Sequence, residues 1–117
     1  MTGKAGDEPK TPMAGMVLLR EDGVSLAVSG DFDLHSAPAL LDLLPTLLRN
    51  CRQNGATRAE INCADLTLCD SSGLTALIRA YQAAQDANIR LALTDQPDHL
   101  TNLLDLAGLN RMFEQEE

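Results

Sequence analysis

The chain has 117 residues, of which 44% are hydrophobic and 3% are aromatic, and it carries a formal net charge of −8. This length fits one domain, whose core must be built from Leu, Ala, Val and Ile. The acidic balance argues against nucleic acid and against an anionic membrane surface as partners, because both require clustered Lys and Arg. No stretch reaches the roughly 18 apolar residues of a membrane span, and no apolar signal-peptide core follows Met1. We therefore expect a cytoplasmic protein.

The chain is predicted to open with a tail and a β-hairpin. Residues 1–14 contain several Gly and Pro residues and no hydrophobic periodicity, which is typical of a disordered tail. A short apolar run over 16–20 and an alternating run over 24–29 flank Asp22 and Gly23, the strongest short-range hairpin signal.

Two carboxylates, Asp31 and Asp33, follow the second predicted strand. Such a pair suggests acid–base chemistry or a metal site, but catalysis also requires a partner group and a pocket. Nothing near them in sequence supplies either. We therefore interpret them as solvated loop acids close to the start of the next helix.

Hydrophobic periodicity places three helices and two further strands in the rest of the chain. Leucines spaced by three and four predict a helix over 37–54, in which Pro45 is expected to cause a kink because it lacks an N–H and clashes with the preceding turn. The remaining predicted elements are a strand over 58–63, a loop over 64–70, a helix over 71–87 with Leu74, Leu77, Ile78, Tyr81 and Ala84 buried, a strand over 90–94, a helix over 98–107 and a frayed acidic tail over 114–117.

This alternation after a hairpin predicts an α/β fold with a mostly parallel sheet of about four to five strands. Functional sites in such sheets lie at the carboxyl ends of the strands. If the strands ending near Gly30 and Ala64 are neighbours, Asp31 and Asp33 would flank Ser71.

The stretch Leu68–Leu74 places two hydroxyls and a carboxylate where the second long helix begins. One interpretation is a helix cap, since Asp and Ser oxygens accept hydrogen bonds from the first free N–H groups. The other is a phosphoacceptor, because a phosphate there would meet free N–H groups and the positive end of the helix dipole. The residue pattern alone leaves both open.

The cysteines and histidines show no metal-ligand spacing, so we expect no metal and no cofactor. Cys51 and Cys63 fall on predicted apolar faces and are interpreted as inert buried thiols. Cys69 adjoins Asp70 near a helix N-terminus, where a thiol can have a lowered pKa, and this keeps a redox role open.

The chain resembles the STAS family, named for sulfate transporters and anti-sigma-factor antagonists, over about residues 13–113. The segments that carry the resemblance are Gly30-Asp31-Phe32-Asp33, Ala64-Asp65-Leu66-Thr67, Cys69-Asp70-Ser71-Ser72-Gly73-Leu74, Arg90-Leu91-Ala92-Leu93 and Leu106-Ala107-Gly108-Leu109 with Phe113 beyond. We accordingly predict a STAS domain over 15–113, with helices mainly on one face of the sheet.

The resemblance implies a non-enzymatic binding module, most similar to a stand-alone bacterial anti-sigma-factor antagonist. In that scheme the unphosphorylated domain binds an anti-sigma factor that is also a serine kinase, and a sigma factor is released. Phosphorylation of the serine after the motif Asp, here Ser71, dissociates the complex, and a metal-dependent phosphatase resets it. The residues expected around the phosphoacceptor and in partner binding are Asp31, Asp33, Asp70, Ser72, Gly73, Thr75 and Arg79.

Two other functions are weighed against this switch. STAS domains also serve as constitutive subunits of stress-sensing assemblies and of lipid or anion transport systems, without a phospho-switch. A hydrolase using Ser71 or Ser72 with His35 or His99 is disfavoured, because the Gly-x-Ser-x-Gly pattern is missing and the histidines are distant in sequence. Weak self-association of the domain is left open.

Overall fold

A computed structural model of the protein describes residues 15–113, which form one mixed sheet and three helices. The strands are β1 (Met16–Leu19), β2 (Ser25–Phe32), β3 (Arg58–Cys69) and β4 (Arg90–Thr94), and the helices are α1 (Ala37–Gln53), α2 (Ser71–Asp86) and α3 (Asp98–Leu106). The predicted tails at 1–14 and 114–117 lie outside the described residues.

The opening hairpin is confirmed. β1 pairs antiparallel with β2, with Met16 opposite Ser29 and Leu19 opposite Leu26. Asp22 closes the turn by accepting hydrogen bonds from the Val24 N–H (3.0 Å) and the Ser25 hydroxyl (2.9 Å), and Gly23 adopts the positive φ of 75° that such a turn requires.

The described sheet has the strand order β1-β2-β3-β4, and β2, β3 and β4 run parallel to one another. The predicted α/β class and mostly parallel sheet are therefore confirmed, with four strands. Parallel neighbours need crossover connections, which α1 and α2 supply. The carboxyl ends of β2 and β3 consequently meet at one edge of the sheet.

β3 corrects one sequence prediction, because it continues to Cys69 through the segment 64–69 that was expected to be a loop. Asp65 and Leu66 pair with β2 after a first register shift in the ladder, and Leu68 and Cys69 pair with it after a second. The shifts break the two-residue alternation, so buried side chains recur at a spacing of three, and the strand signal is lost from the sequence.

The core is built mainly from aliphatic side chains that α1 and α2 lay against the sheet. α1 buries the predicted leucine stripe, although Leu41 is only half-buried, and α1 continues through the exposed Pro45. The kink at Pro45 stays a prediction. The fully buried side chains include Leu26, Val28 and Phe32 of β2, Ile61 of β3, Leu93 of β4, Leu40 and Leu47 of α1, Leu77 of α2 and Leu100 and Leu104 of α3.

The buried face of α2 differs from the prediction. The helix buries small residues, while the larger predicted members Leu74, Ile78 and Tyr81 are half-buried at the margin. Small side chains let the helix axis approach its neighbours closely, and the bulk of Tyr81 then packs edge-on against the buried Phe113, with ring centroids 5.5 Å apart. The buried residues of α2 are Gly73, Ala76, Leu77, Ala80 and Ala84.

No helix within residues 15–113 has the length and apolar character needed to cross a bilayer.

Candidate functional site

The carboxyl ends of β2 and β3 bring the acidic residues and the serines of the motif to one edge. Asp31 lies opposite Leu68 and Phe32 opposite Cys69 in the parallel ladder. The Asp70 N–H also donates to the Phe32 carbonyl at 3.3 Å. The two strands are thus neighbours, which meets the condition under which Asp31 and Asp33 were expected to lie beside Ser71.

Asp70, and neither serine, caps α2. Its backbone is extended (φ −98°, ψ −171°), and its Oδ1 accepts a hydrogen bond from the Gly73 N–H at 3.0 Å. An Asp in this position satisfies one of the free N–H groups of the first turn. Ser71 is therefore the first residue of the helix rather than its cap, and its side chain is exposed.

Two further hydroxyls continue the surface along α2. Ser72 is half-buried, whereas Thr75 is exposed and its hydroxyl donates to the Ser71 carbonyl at 2.9 Å. Arg79 is exposed one turn beyond Thr75. These residues share one helix face because they are spaced by three and four positions.

Gly73 sets how closely α2 approaches β2. A Cβ at this position would lie 2.3 Å from the Phe32 carbonyl oxygen, 2.8 Å from the Phe32 ring and 3.1 Å from the Cys69 sulfur. Only glycine permits this approach without moving backbone atoms. The tight contact holds the N-terminus of α2, and with it Ser71, against the end of β2.

The loop between β2 and α1 holds the Asp33 carboxylate in a fixed position. Its Oδ1 accepts hydrogen bonds from the backbone N–H groups of His35 (2.9 Å) and Ser36 (3.3 Å). The His35 N–H, with the Ser36 groups adding to it, holds the pKa of Asp33 below its usual value, because these donors stabilise the charged form. The buried Ser36 hydroxyl donates to the Asp31 carbonyl at 2.7 Å and so ties the loop together.

The Asp31 side chain is anchored by a residue that the sequence analysis did not single out as functional. The Thr67 hydroxyl donates to Asp31 Oδ1 at 2.7 Å across the β2–β3 pair. Thr67 was predicted to be in a loop, so nothing placed it beside Asp31. Recognising the full length of β3 would have revealed the pairing, since parallel register brings Thr67 close to the end of β2.

An open groove of about 400 Å³ begins beside the serines and runs between α1 and α2. Its lining is mostly apolar, and Ser72 and Thr75 form part of its α2 wall. The residues that line it are Leu34, Ala37, Pro38, Leu41 and Asp42 on one side and Ser72, Thr75, Ala76 and Arg79 on the other. The sequence analysis named the α2 residues except Ala76 but missed the α1 side, because the groove exists only when the two helices pack together.

Cys69 bears on the redox role that the sequence left open. Its side chain is buried. Burial is the main cause that raises the pKa of the thiol to about 12, and the nearby negative charge of Asp70 adds to it. The thiol is buried in the core and does not stand in solvent at the helix N-terminus. Its raised pKa is the opposite of the lowered pKa that a redox role would need. Cys51 and Cys63 are buried as predicted.

The histidines do not complete a nucleophilic site in the described part of the chain. His99 Nε2 lies 3.0 Å from the Leu66 carbonyl oxygen, and His35 lies in the exposed loop before α1. Within residues 15–113, no group of three His, Cys, Asp or Glu side chains could hold a metal ion.

A family model described as "Mlab, STAS domain" matches residues 17–114. The chain belongs to the STAS domain family. The fold described above, with its antiparallel hairpin followed by parallel strands, is the fold of this family's solved members.

Proteins similar to this chain carry the name of anti-sigma-factor antagonists. An anti-sigma-B factor antagonist from Staphylococcus epidermidis is 23% identical over 100 residues, which cover 86% of this chain and 89% of that protein. The crystal structure of an anti-sigma factor antagonist from Mycobacterium paratuberculosis superposes with a TM-score of 0.66 at 21% identity, covering 92% of this chain and 87% of that one.

SpoIIAA of Bacillus is a further structural neighbour, and it has been solved in phosphorylated form. It superposes with a TM-score of 0.61 at 16% identity, covering 89% of this STAS domain chain and 92% of SpoIIAA. The unphosphorylated form of SpoIIAA also superposes with a TM-score of 0.61. At these identities the likeness establishes the fold.

Proposed function

We propose that this STAS domain is a phosphorylation-switched binding protein rather than an enzyme, and that Ser71 is the phosphoacceptor. The observation that carries the proposal is the exposed Ser71 side chain at the first position of α2, directly after an Asp that already caps the helix. The cap leaves the serine hydroxyl available to a kinase, and the first turn of α2 offers N–H groups to a phosphate.

The unphosphorylated domain would bind an anti-sigma factor that is also a serine kinase, and a sigma factor would thereby be released. Phosphate transfer to Ser71 ends the complex, and a metal-dependent serine phosphatase restores the binding form. The names of the Staphylococcus epidermidis and Mycobacterium paratuberculosis relatives support this assignment, as does the existence of a phosphorylated SpoIIAA.

A phosphate on Ser71 would block partner binding through local electrostatic repulsion. It adds about −1.5 to −2 charge beside Asp70 and at the edge that carries Asp31 and Asp33. Like charges in a desolvated contact cost several kcal/mol, whereas the helix dipole offsets only about 0.3–1 kcal/mol. A loss of about 4 kcal/mol corresponds to roughly a thousandfold in affinity. The domain therefore does not need to refold to release its partner.

The test is to isolate the partner that co-purifies with the protein from its own cells and to measure its affinity for four forms by calorimetry. Ser71→Asp is expected to bind at least tenfold more weakly than wild type, and Ser71→Ala is expected to bind normally. Thr57→Asp adds the same charge at an exposed position just before β3, at the opposite end of the strand, and is the matched control. Equal affinity of wild type and Ser71→Asp would overturn the switch.

Mass spectrometry of the native chain supplies an independent test. A phosphate confined to Ser71, whose occupancy changes between growth and stress, is expected. A chain unmodified in every condition would favour a second candidate, a constitutive subunit of a stress-sensing or transport assembly. That candidate is kept because the description of the matching family model, "Mlab, STAS domain", does not mention anti-sigma-factor antagonists.

A further inference from the structure

We propose that two copies of this chain associate through β1, and that their β1 strands pair antiparallel about a two-fold axis at Leu18. The pairing joins the two sheets into one and closes the assembly at two copies. This inference goes beyond the proposed function and does not depend on it, because neither Ser71 nor an anti-sigma factor takes part.

β1 presents one side of its backbone to a further strand. It is the first strand in the sheet order and pairs with β2, and no other strand within residues 15–113 lies against it. Its sequence, Met-Val-Leu-Leu, contains no charged residue and no proline. Charged residues and prolines are among the features that keep exposed sheet edges from pairing with one another. The sequence of β1 therefore does not oppose pairing with a second strand.

The hydrogen bonds of the hairpin show which backbone groups of β1 point outward. The Arg20 N–H donates to the Ser25 carbonyl at 2.9 Å, and the register of β1 with β2 is unbroken. Hydrogen-bonded and non-hydrogen-bonded pairs alternate along an antiparallel ladder. The even-numbered residues of β1 therefore turn their N–H and C=O groups toward β2, whereas Val17 and Leu19 turn theirs to the outer edge.

One register of two antiparallel β1 strands pairs all of these outward groups. With the two Leu18 residues opposite each other, Val17 of each copy lies opposite Leu19 of the other, and each such pair exchanges two hydrogen bonds. If the axis passes through Val17, Leu19 faces Gly15 outside the strand. If it passes through Leu19, Val17 faces Glu21 in the turn. A shift by one residue would bring side chains of opposite faces together, so the geometry of the edge selects Leu18 as the axis.

The side chains exposed on β1 are covered by this pairing. Leu18 is 56% exposed and Met16 is 52% exposed. Leu18 forms a non-hydrogen-bonded pair with its counterpart, the arrangement in which opposing side chains approach most closely. A depression of about 520 Å³ touches both Leu18 and Leu19, which point to opposite faces of the sheet, so it lies along the strand edge. The edge thus offers apolar surface and space for the side chains of a second β1.

Charge complementarity also favours a second copy in this orientation. Arg20 is exposed, and the register places it opposite Met16 of the other copy. Met16 pairs with Ser29, which shares a face of β2 with Asp31 two residues further on. Gly15 confirms how close this end of β2 lies, because a Cβ added to it would be 2.1 Å from the Asp31 carbonyl oxygen. Each copy therefore brings a cation toward the acidic end of β2 in the other.

The dimer is expected to be weak and reversible. β1 has four residues, and pairing over this length buries well below the roughly 1,200–2,000 Å² of a stable interface. The net charge of −8 on each copy adds repulsion. We expect a dissociation constant on the order of 100 μM.

Sedimentation equilibrium of the full chain from about 10 μM to about 1 mM tests the association. Wild type is expected to change from monomer to dimer. Leu18→Glu places two like charges at the axis and should weaken the dimer at least tenfold. Leu106→Glu alters an exposed leucine on α3, 87% accessible, and should leave dimerisation unchanged. A chain that stays monomeric over this range, or a dimer that Leu18→Glu does not weaken, would overturn the proposal.

Introduced cysteines test the register. The native cysteines are buried, so mild oxidation should act on an introduced thiol. Leu18→Cys puts two thiols opposite each other, within the Cα separation of about 4.4–6.8 Å that a disulfide requires. Met16→Cys is the matched control, because Met16 is similarly exposed but its two copies lie four positions apart along the ladder, roughly 13 Å.

The rates of cross-linking decide between pairing and random encounter. Leu18→Cys should form the disulfide-linked dimer at least tenfold faster than Met16→Cys. Equal rates would show that the two copies meet without a fixed register, and faster cross-linking of Met16→Cys would show that the axis lies elsewhere. Either result would overturn the proposed pairing.

Discussion

At the scale of single residues, the candidate site depends on contacts that only small or short polar side chains can make. Gly73 lets α2 touch β2, Asp70 caps the helix, and the Thr67 hydroxyl holds the Asp31 carboxylate. Each contact joins residues from different elements or turns. Together these contacts determine the position of Ser71 at the edge of the sheet. Gly73 leads to one measurable consequence at this scale, and the hydrogen-bonded Asp33 carboxylate leads to another.

Gly73→Ala is expected to destabilise the domain by about 1–3 kcal/mol, because the added Cβ would meet the Phe32 backbone oxygen at 2.3 Å. Helix propensity alone would favour alanine by about 1 kcal/mol, so the sign of the effect separates the two causes. Urea denaturation measures the free energy of unfolding, and Gln82→Ala at an exposed site of α2 should change it by less than about 0.5 kcal/mol. A stabilised Gly73→Ala variant would contradict the close approach.

Asp33→Asn is expected to lower stability in a pH-dependent way. The pKa of Asp33 is lowered from its ordinary value of 3.8 when the chain folds, mainly by the His35 N–H. The charged carboxylate therefore stabilises the fold above pH 3.8, and this contribution is lost as the pH falls through the lower folded pKa.

Denaturation of wild type and Asp33→Asn across the acidic range checks this expectation. The stability difference between them should be constant well above pH 3.8 and should shrink as the medium becomes more acidic. Asp86→Asn, at the exposed end of α2, is the control for removing a negative charge. A difference that grows toward low pH would show that the sign is wrong.

At the scale of elements, β3 organises the site. It pairs with β2 on one side and β4 on the other, and its last residue leads through Asp70 into α2. Because the strand runs to Cys69, it carries two thiols into the interior instead of placing one of them in a solvated loop. This arrangement makes the strand's cysteines a chemical probe of its packing.

Native Cys63 and Cys69 are expected to resist alkylation by iodoacetamide near pH 8. Burial, as the main cause, raises the pKa of each thiol from 9.0 to about 12, so the reactive thiolate is roughly a thousandfold scarcer than for an unshifted thiol. Mass spectrometry of alkylated peptides measures the rates, and the urea-unfolded chain is the control in which all three cysteines should react. Rapid native labelling of Cys69 would show that it is solvated and would revive a redox role.

At the scale of the whole molecule, the proposed switch places its charge on the surface of the domain. Ser71 is exposed and belongs to a helix whose core residues lie on its other face. A charge added at Ser71 therefore changes the surface more than the core.

Ser71→Asp should consequently leave the free energy of unfolding within about 0.5 kcal/mol of wild type. The helix dipole favours an added anion by about 0.3–1 kcal/mol, and repulsion from Asp70 opposes it. Circular dichroism and urea denaturation provide the measurement. A loss above about 2 kcal/mol would indicate that phosphorylation acts by unfolding the domain and not by a local contact.

The local patterns of the sequence determined most of the elements and their order. Asp22-Gly23 specified the hairpin, the leucine spacing specified α1, and the alternation of strands and helices specified a mostly parallel sheet, because these features arise from neighbouring residues along the chain. The family resemblance also drew attention to Ser71 and its acidic neighbours before any contact was known.

Only the tertiary structure decided where β3 ends, which face of α2 is buried and what surrounds the serine. The Thr67–Asp31 bond, the Gly73–Phe32 contact and the groove beside Leu34 each join residues that are distant in sequence. Register shifts between β2 and β3 interrupt the alternation of buried and exposed residues, so the sequence pattern did not reveal the second half of β3. Such contacts depend on how the elements pack against one another. Local periodicity indicates which face of an element is buried, but it does not indicate which other element covers that face.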